Sequence, residues 1–191
     1  MNQNSDLNEI YISVDIEASG PIPGKFSMLS IGACLVGRPN VSFYQELRPL
    51  NMNFVPDALN VAGLSLERLA QTGSRPLDAM VKFQDWISDA SPGEYPVFVG
   101  FNAVFDWSFI NWYFHEFLGE NPFGFGGVDI KSYYMGLAGV TWTKSSSRQL
   151  PLKFQPDQEQ THNALDDARS QAQIFERLLR ENRFFSHQPK E

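Results

Sequence analysis

The order of strand-like and helix-like stretches restricts this chain more than any other feature. Ile10 to Ile16 alternates and is rich in β-branched residues, which predicts a first strand. Gly20-Pro21-Ile22-Pro23-Gly24 interrupts any regular element. Met28 to Val36 and Val41 to Leu47 read as two more strands, joined by a turn at Gly37-Arg38-Pro39-Asn40. Connections this short predict antiparallel neighbours. Pro56 to Gly73 reads as one or two short helices, with a cap signal in Leu64-Ser65-Leu66-Glu67. Pro76 to Ala90 places Leu77, Met80, Val81, Phe83 and Trp86 close to a helical stripe. Pro96 to Phe101 is a short, continuously apolar run, as for a strand covered on both faces. Ala103 to Leu118 is helix length and apolar nearly all round. Val128 to Ile130 predicts a last short strand, followed by a helix to about Gly139. Thr141 to Gln160 is polar and reads as loop. Thr161 to Asn182 is the clearest helix, with Leu165, Ala168, Ala172, Phe175 and Leu179 on one stripe. A meander followed by αβ units predicts an α/β fold: a mixed sheet with helices on both faces. With no repeat and no linker, the 191 residues are expected to form one domain over 9–183, with flexible tails at 1–8 and 184–191.

Charge narrows the function classes. The chain has 15 basic and 22 acidic residues, a net −7. That excludes a non-specific nucleic-acid coat, which needs basic residues to displace counterions. It leaves open an enzyme that grips a few nucleotides. The one cysteine, Cys34, excludes an internal disulfide and a cysteine zinc cluster. Its apolar neighbours Ile31, Leu35 and Val36 predict a buried, inert thiol. Met1 to Asn8 lacks the pattern of a signal peptide, and no apolar run reaches the ~18 residues that span a bilayer. The expectation is a cytoplasmic protein with no membrane partner.

Three groups of polar residues sit where chemistry is feasible. Asp15 and Glu17 are two apart on a strand, so they share a face and repel each other. Either a hard divalent cation lies between them or they form the solvated face of an edge strand. Asn102 follows the end of a strand as a natural N-cap, and Asp106 falls in the first helical turn, where the helix dipole favours a carboxylate. Yet Ala103, Val104, Phe105, Trp107, Phe109 and Ile110 surround Asp106 with apolar side chains, and a part-buried carboxylate needs a partner. Metal binding and helix capping are both open for this pair. In the last helix, with Leu165 at 0°, the apolar stripe centres at about −60°, Asp166 at about +100° and Asp167 at about −160°. Asp166 is therefore expected at the surface and Asp167 on the flank of the buried face. His162 opens this helix, either as a capping or surface residue or turned toward the same site.

In combination these groups resemble the DEDDh (DnaQ-like) 3′→5′ exonucleases, the family of polymerase proofreading subunits, RNase T and oligoribonuclease. The first motif is similar at Asp15-Ile16-Glu17 with small Ala18, Ser19 and Gly20 behind it. The second is similar at Gly100-Phe101-Asn102-Ala103-Val104-Phe105-Asp106, and the third at His162-Asn163-Ala164-Leu165-Asp166-Asp167. The motifs occur in the family's order across about Ile10 to Leu179. The resemblance implies a ribonuclease H-like fold, a five-stranded mixed sheet flanked by helices. It implies that Asp15, Glu17, Asp106 and Asp167 hold two Mg²⁺ or Mn²⁺ ions about 3.5–4 Å apart. His162 would be the general base, for which an ordinary histidine pKa of about 6.5 is suitable. The implied reaction releases nucleoside 5′-monophosphates from the 3′ end of single-stranded nucleic acid. RNA or short oligonucleotides are expected slightly ahead of DNA, because no second domain is visible. Ala18, Met28, Leu29, Leu64, Phe101 and Asn102 are the positional candidates for substrate contact, with core packing the alternative for the apolar ones. Lys25 could meet a phosphate or be a solvated lysine. A homodimer is a further expectation, and a catalytically silent nucleic-acid-binding module of the same fold is the rival reading. Lys131 to Pro156 contains no acidic residue but has Lys131, Lys144, Arg148 and Lys153, either a basic lip for the backbone or a solvated loop.

Overall fold

In the computed structural model, described over residues 8–157 and 161–186, one five-stranded sheet runs in the order β3-β2-β1-β4-β5. Strands β1 (Glu9–Ala18), β2 (Met28–Leu35) and β3 (Arg38–Glu46) form the antiparallel meander. Strand β4 (Tyr95–Gly100) lies parallel to β1, and β5 (Gly127–Asp129) lies parallel to β4. The expected mixed α/β architecture is therefore the observed one. The β2–β3 turn is tighter than expected. Val36-Gly37 makes the turn, Gly37 takes a left-handed φ of 81°, and Arg38 already pairs with Leu35. Two-residue hairpins need such backbone, and glycine adopts it without strain.

Helices α1 (Pro56–Ala62) and α2 (Leu66–Thr72) follow the meander, and Ser65 caps α2 by accepting a hydrogen bond from the Arg68 N–H. Helices α3 (Pro76–Ala90) and α4 (Val104–Phe117) cover one face of the sheet. Helices α5 (Ile130–Ala138) and α6 (Ala164–Ser186) cover the other. The last helix thus runs into the stretch expected to be tail. Met1 to Leu7 and His187 to Glu191 lie outside the described residues. No helix among the described residues is long and apolar enough to cross a membrane.

Two local features place the site. β1 lies in the middle of the sheet, so the edge-strand reading of Asp15 and Glu17 is wrong. Ile10, Ile12, Val14, Ile16 and Ala18 join the α3/α4 core, and Asp15 and Glu17 alternate to the α6 side. Directly opposite Asp15 in the ladder stands Gly32. A Cβ at Gly32 would lie 2.1 Å from the Ala164 carbonyl carbon, so only glycine lets the start of α6 rest against the sheet. The buried stripe of α6 is Ala164, Ala168, Gln171, Ala172, Phe175 and Leu178. Leu165 and Leu179 sit at its margin. That rotates the buried face toward Asp167, which is inside it rather than on its flank. Where it is described, the 141–160 stretch is the expected loop, largely exposed but anchored. It holds short 3₁₀ turns at Trp142–Lys144, Ser147–Gln149 and Leu152–Phe154, and buries Leu150 and Phe154 against the α5/α6 side.

Candidate active site

A cleft of about 330 Å³ opens beyond the C-terminal ends of β1 and β4, where ligand sites of open α/β sheets gather. Asp15 and Glu17 enter from β1, Asp106 from α4 and Asp167 from α6, and His162 overhangs them from the segment before α6. All five residues expected to carry the chemistry are in one place. Carboxylate oxygens of Glu17 and Asp167 and a ring nitrogen of His162 lie within 4.8 Å of one another.

Three of the four carboxylates are held by a definite partner. Pairing of β1 with β4 ends at Ser13, so the Ile16 N–H beyond it is free to donate to Asp106 Oδ1 at 3.0 Å. That bond answers the question of what supports Asp106 in its apolar surroundings. Asp167 Oδ1 accepts from the Thr161 N–H at 3.0 Å. Asp15 Oδ1 accepts from the Gln171 side-chain amide at 2.5 Å. Burial pushes all four carboxyls above their usual range. Asp15 is raised well above it, with the charges of Asp106, Glu17 and Asp167 adding to the desolvation. Glu17 is raised to about 7 by burial and by the Asp167 and Asp106 charges. Burial also takes Asp106 to about 7 against the opposing backbone hydrogen bonds, and Asp167 is raised. Four crowded acids in a cleft that disfavours their charge form an oxygen donor set suited to hard divalent cations.

Backbone strain gathers at the same place. Among the described residues, Asn102 (φ 57°) and His162 (φ 56°) are the non-glycine residues in left-handed backbone. Asn102 is therefore not the N-cap of α4, a position that Ala103 takes. It turns the chain from β4 into α4 and lines the cleft from an exposed position. Asparagine tolerates this backbone better than most residues. His162 is exposed and precedes the helix, whose first N–H groups are capped by Asn163 Oδ1.

The substrate candidates separate cleanly. Phe101 and Asn102 line the cleft. Met28 and Leu29 have no exposed surface: Met28 belongs to the α3/α4 core and Leu29 packs with Ala62, Leu66 and Leu69. Neither can present a side chain to a nucleotide in this conformation, because both faces of β2 are covered. Ala18 is buried, and Leu64 packs beside the Leu29 cluster. Lys25 lies over the Phe26 ring, 5.6 Å from its centre. Cys34 is buried as expected, with burial pushing its thiol up to about 12.

Sequence reading missed Gln171, Val61 and Phe105. Gln171 lies one helical turn after Asp167, a spacing that would have flagged it. Its amide oxygen also accepts from the Phe101 N–H at 2.9 Å. Val61 and Phe105 give the cleft an exposed apolar wall. Val61 has no local signal, since α1 reaches the cleft only because the loop after β1 folds back, with the Val55 N–H on the Ser19 carbonyl.

No family model matches the chain. The chain is 51% identical over 168 residues to the 3′-5′ DNA exonuclease Cap18 of Escherichia coli, covering 87% of this chain and 90% of that protein. It belongs to the DEDDh 3′→5′ exonucleases. Solved structures agree on the fold of this exonuclease. The nuclease domain of 3′hExo, a DEDDh family member bound to rAMP, superposes with a TM-score of 0.71 at 16% identity, over 93% of this chain and 94% of that one. Escherichia coli Exonuclease I in complex with a dA16 oligonucleotide gives 0.69 at 12% identity, over 94% of this chain and 43% of that one. The exonuclease is an α/β enzyme whose motif carboxylates and histidine share one cleft.

Proposed function

We propose that this exonuclease removes nucleoside 5′-monophosphates from the 3′ end of single-stranded DNA. The observation that carries the reading is the convergence of Asp15, Glu17, Asp106, Asp167 and His162 from separate elements on one cleft. A silent binding module would have no need of that complete set. DNA takes precedence over the RNA expected from stand-alone architecture because the relative at 51% identity is a DNA exonuclease.

Asp15, Glu17, Asp106 and Asp167 would hold two divalent ions, Mg²⁺ or Mn²⁺. When bound, these supply the charge that polarises the scissile phosphate and lowers the pKa of the attacking water. Water attacks the phosphorus of the terminal nucleotide, and the bond to the 3′ oxygen of the preceding nucleotide breaks. His162 takes the water's proton, and its exposure lets it return that proton to solvent. Val61 and Phe105 offer the terminal base an apolar surface that needs no sequence readout.

The test uses 5′-labelled and 3′-labelled single-stranded oligonucleotides, as DNA and as RNA, with Mg²⁺ and with EDTA. Mononucleotides should leave from the 3′ end, faster from DNA, and EDTA or Asp15→Ala should abolish the release. His162→Ala should remain folded and turn over very slowly. Activity that survives EDTA and Asp15→Ala refutes the metal mechanism. A faster RNA reaction refutes only the choice of sugar.

A further inference from the structure

A second cavity, about 670 Å³, adjoins the catalytic cleft and shares Phe101 and His162 with it. Its outer wall comes from the packed 3₁₀ turns that precede the third motif, and its floor includes Ser170 and Gln171 of α6. The basic residues of that stretch have separate fates. Lys131 lies over the Trp142 ring, 3.7 Å from its centre, and Lys153 pairs with Glu181 at 2.6 Å. Lys144 is exposed and does not line the cavity. Arg148 lines it, and makes no ion pair among the described residues. The carboxylate in the wall, Asp157, is already paired with Arg177 at 2.6 Å. Among the described residues, Arg148 is the cation facing this cavity without an ion-pair partner.

Polymer chemistry says which side of the scissile bond needs a cation. The terminal nucleotide carries the scissile phosphate on its 5′ side and only a hydroxyl on its 3′ side. No anion lies beyond it, and the exposed apolar wall of Val61 and Phe105 suits that end. In the 5′ direction the next phosphate follows one nucleotide away. Resting on the exonuclease reading, we propose that the second cavity receives the nucleotide upstream of the scissile bond and that Arg148 pairs with its phosphate. A guanidinium fits that role because it is always charged and offers two parallel N–H donors to phosphate oxygens. The contact is to the backbone, so it tightens binding without reading sequence. It also lets a chain of net charge −7 hold a polyanion at one point rather than over a basic surface.

The experiment is steady-state kinetics of the full chain with Mg²⁺ on a single-stranded DNA trinucleotide and on the same trinucleotide carrying a neutral methylphosphonate in the linkage 5′ of the scissile bond. In the wild type the neutral linkage should raise KM about tenfold, with kcat changing less than twofold. Arg148→Ala should raise KM on the normal trinucleotide by a similar factor, and should then show no further penalty from the methylphosphonate. Arg148→Lys should recover part of the loss, as a point charge without the fork. Penalties that multiply, or a KM insensitive to the neutral linkage, overturn the pairing. The p-nitrophenyl ester of thymidine 5′-monophosphate has no upstream nucleotide. Its hydrolysis by the wild type separates failure of this subsite from failure of the exonuclease reading itself.

Discussion

The two faces of the sheet are built on opposite rules. On the α3/α4 face, Phe83 is fully buried and stacks on Phe114 at 5.7 Å and on Trp86 at 6.0 Å, with Phe43 and Phe123 filling the remaining sides. Beyond the C-terminal ends of β1 and β4, on the α6 side of β1, the carboxylates of Asp15, Glu17 and Asp167 meet that of Asp106 from α4, all with pKa values raised by burial, and two non-glycine residues occupy left-handed backbone. The same strand serves both: Ile12, Val14 and Ile16 feed one face, Asp15 and Glu17 the other. Local frustration thus gathers in a cleft whose backbone is fixed by a well-packed sheet. This is where strain is expected to persist, because the surroundings over-determine it.

A crossed pair of substitutions breaks or sharpens that contrast most strongly. Asp15→Asn should lower kcat about 10³-fold, since one donor to the ion site is weakened. It should at the same time raise the melting temperature of EDTA-treated protein, because it removes an ionisable group whose charged form burial disfavours. Phe83→Ala should do the reverse. It should cost about 3–5 kcal/mol of stability, and lower Tm by roughly 10 °C, with kcat within a few fold when measured well below the transition. Thermal melts and initial rates on both variants decide the matter. An Asp15→Asn protein that melts earlier, or a Phe83→Ala protein that is stable but inactive, would show that the two faces are not separable.

The next effect is electrostatic. Glu17 and Asp106 titrate at about 7 in the folded chain, above the ordinary carboxylate value of the unfolded chain. The folded state therefore keeps protons that the unfolded state gives up. Their stabilising contribution is fully present below about pH 4 and is lost as pH rises through about 7. Metal-free protein should lose several degrees of Tm between about pH 5 and 8, and Mn²⁺ or Mg²⁺ should raise Tm more at the upper end, where metal replaces protons. A metal-free Tm that climbs toward pH 8 would mean the cleft is not the strained region described above.

The contrast was only half legible in the sequence. The apolar periodicities and turn residues identified all five strands and the main helices, because burial on a face imposes a fixed repeat. The five candidate site residues came from the resemblance to the exonuclease motifs; strand and helix phase alone put Asp15 and Glu17 on one face and Asp167 nearer the buried side than Asp166, and left their roles open. What remained hidden depends on long-range contact. Val61 lines the cleft through the path of a loop, Gly32 is needed because α6 presses on the sheet, and the burial of Met28 and Leu29 follows from covering β2 on both sides. The Asn102 error has a local cause. A residue after a strand and before a helix reads as an N-cap, yet here the chain needs a left-handed step first.

The smallest expected effect tests the seam between the two regions. Gln171 belongs to the buried stripe of α6, yet its amide nitrogen donates to Asp15 and its amide oxygen accepts from the Phe101 N–H. It ties the first motif's carboxylate to the turn that carries Asn102 and leads to Asp106. Both hydrogen bonds hold protein groups in place, so the role they support is positioning. Gln171→Met preserves length and apolar packing but removes both hydrogen bonds. Losing a partner for the buried Phe101 N–H should cost about 1–3 kcal/mol. Losing the hold on Asp15 should cost about tenfold in activity, in the range of residues that orient metal-binding side chains. These consequences separate in a metal titration. A positioning role raises the Mn²⁺ concentration needed for half-maximal rate and leaves part of the loss recoverable at saturating metal. A purely structural role lowers Tm and leaves that concentration unchanged, which would place Gln171 with the packed core rather than with the cleft.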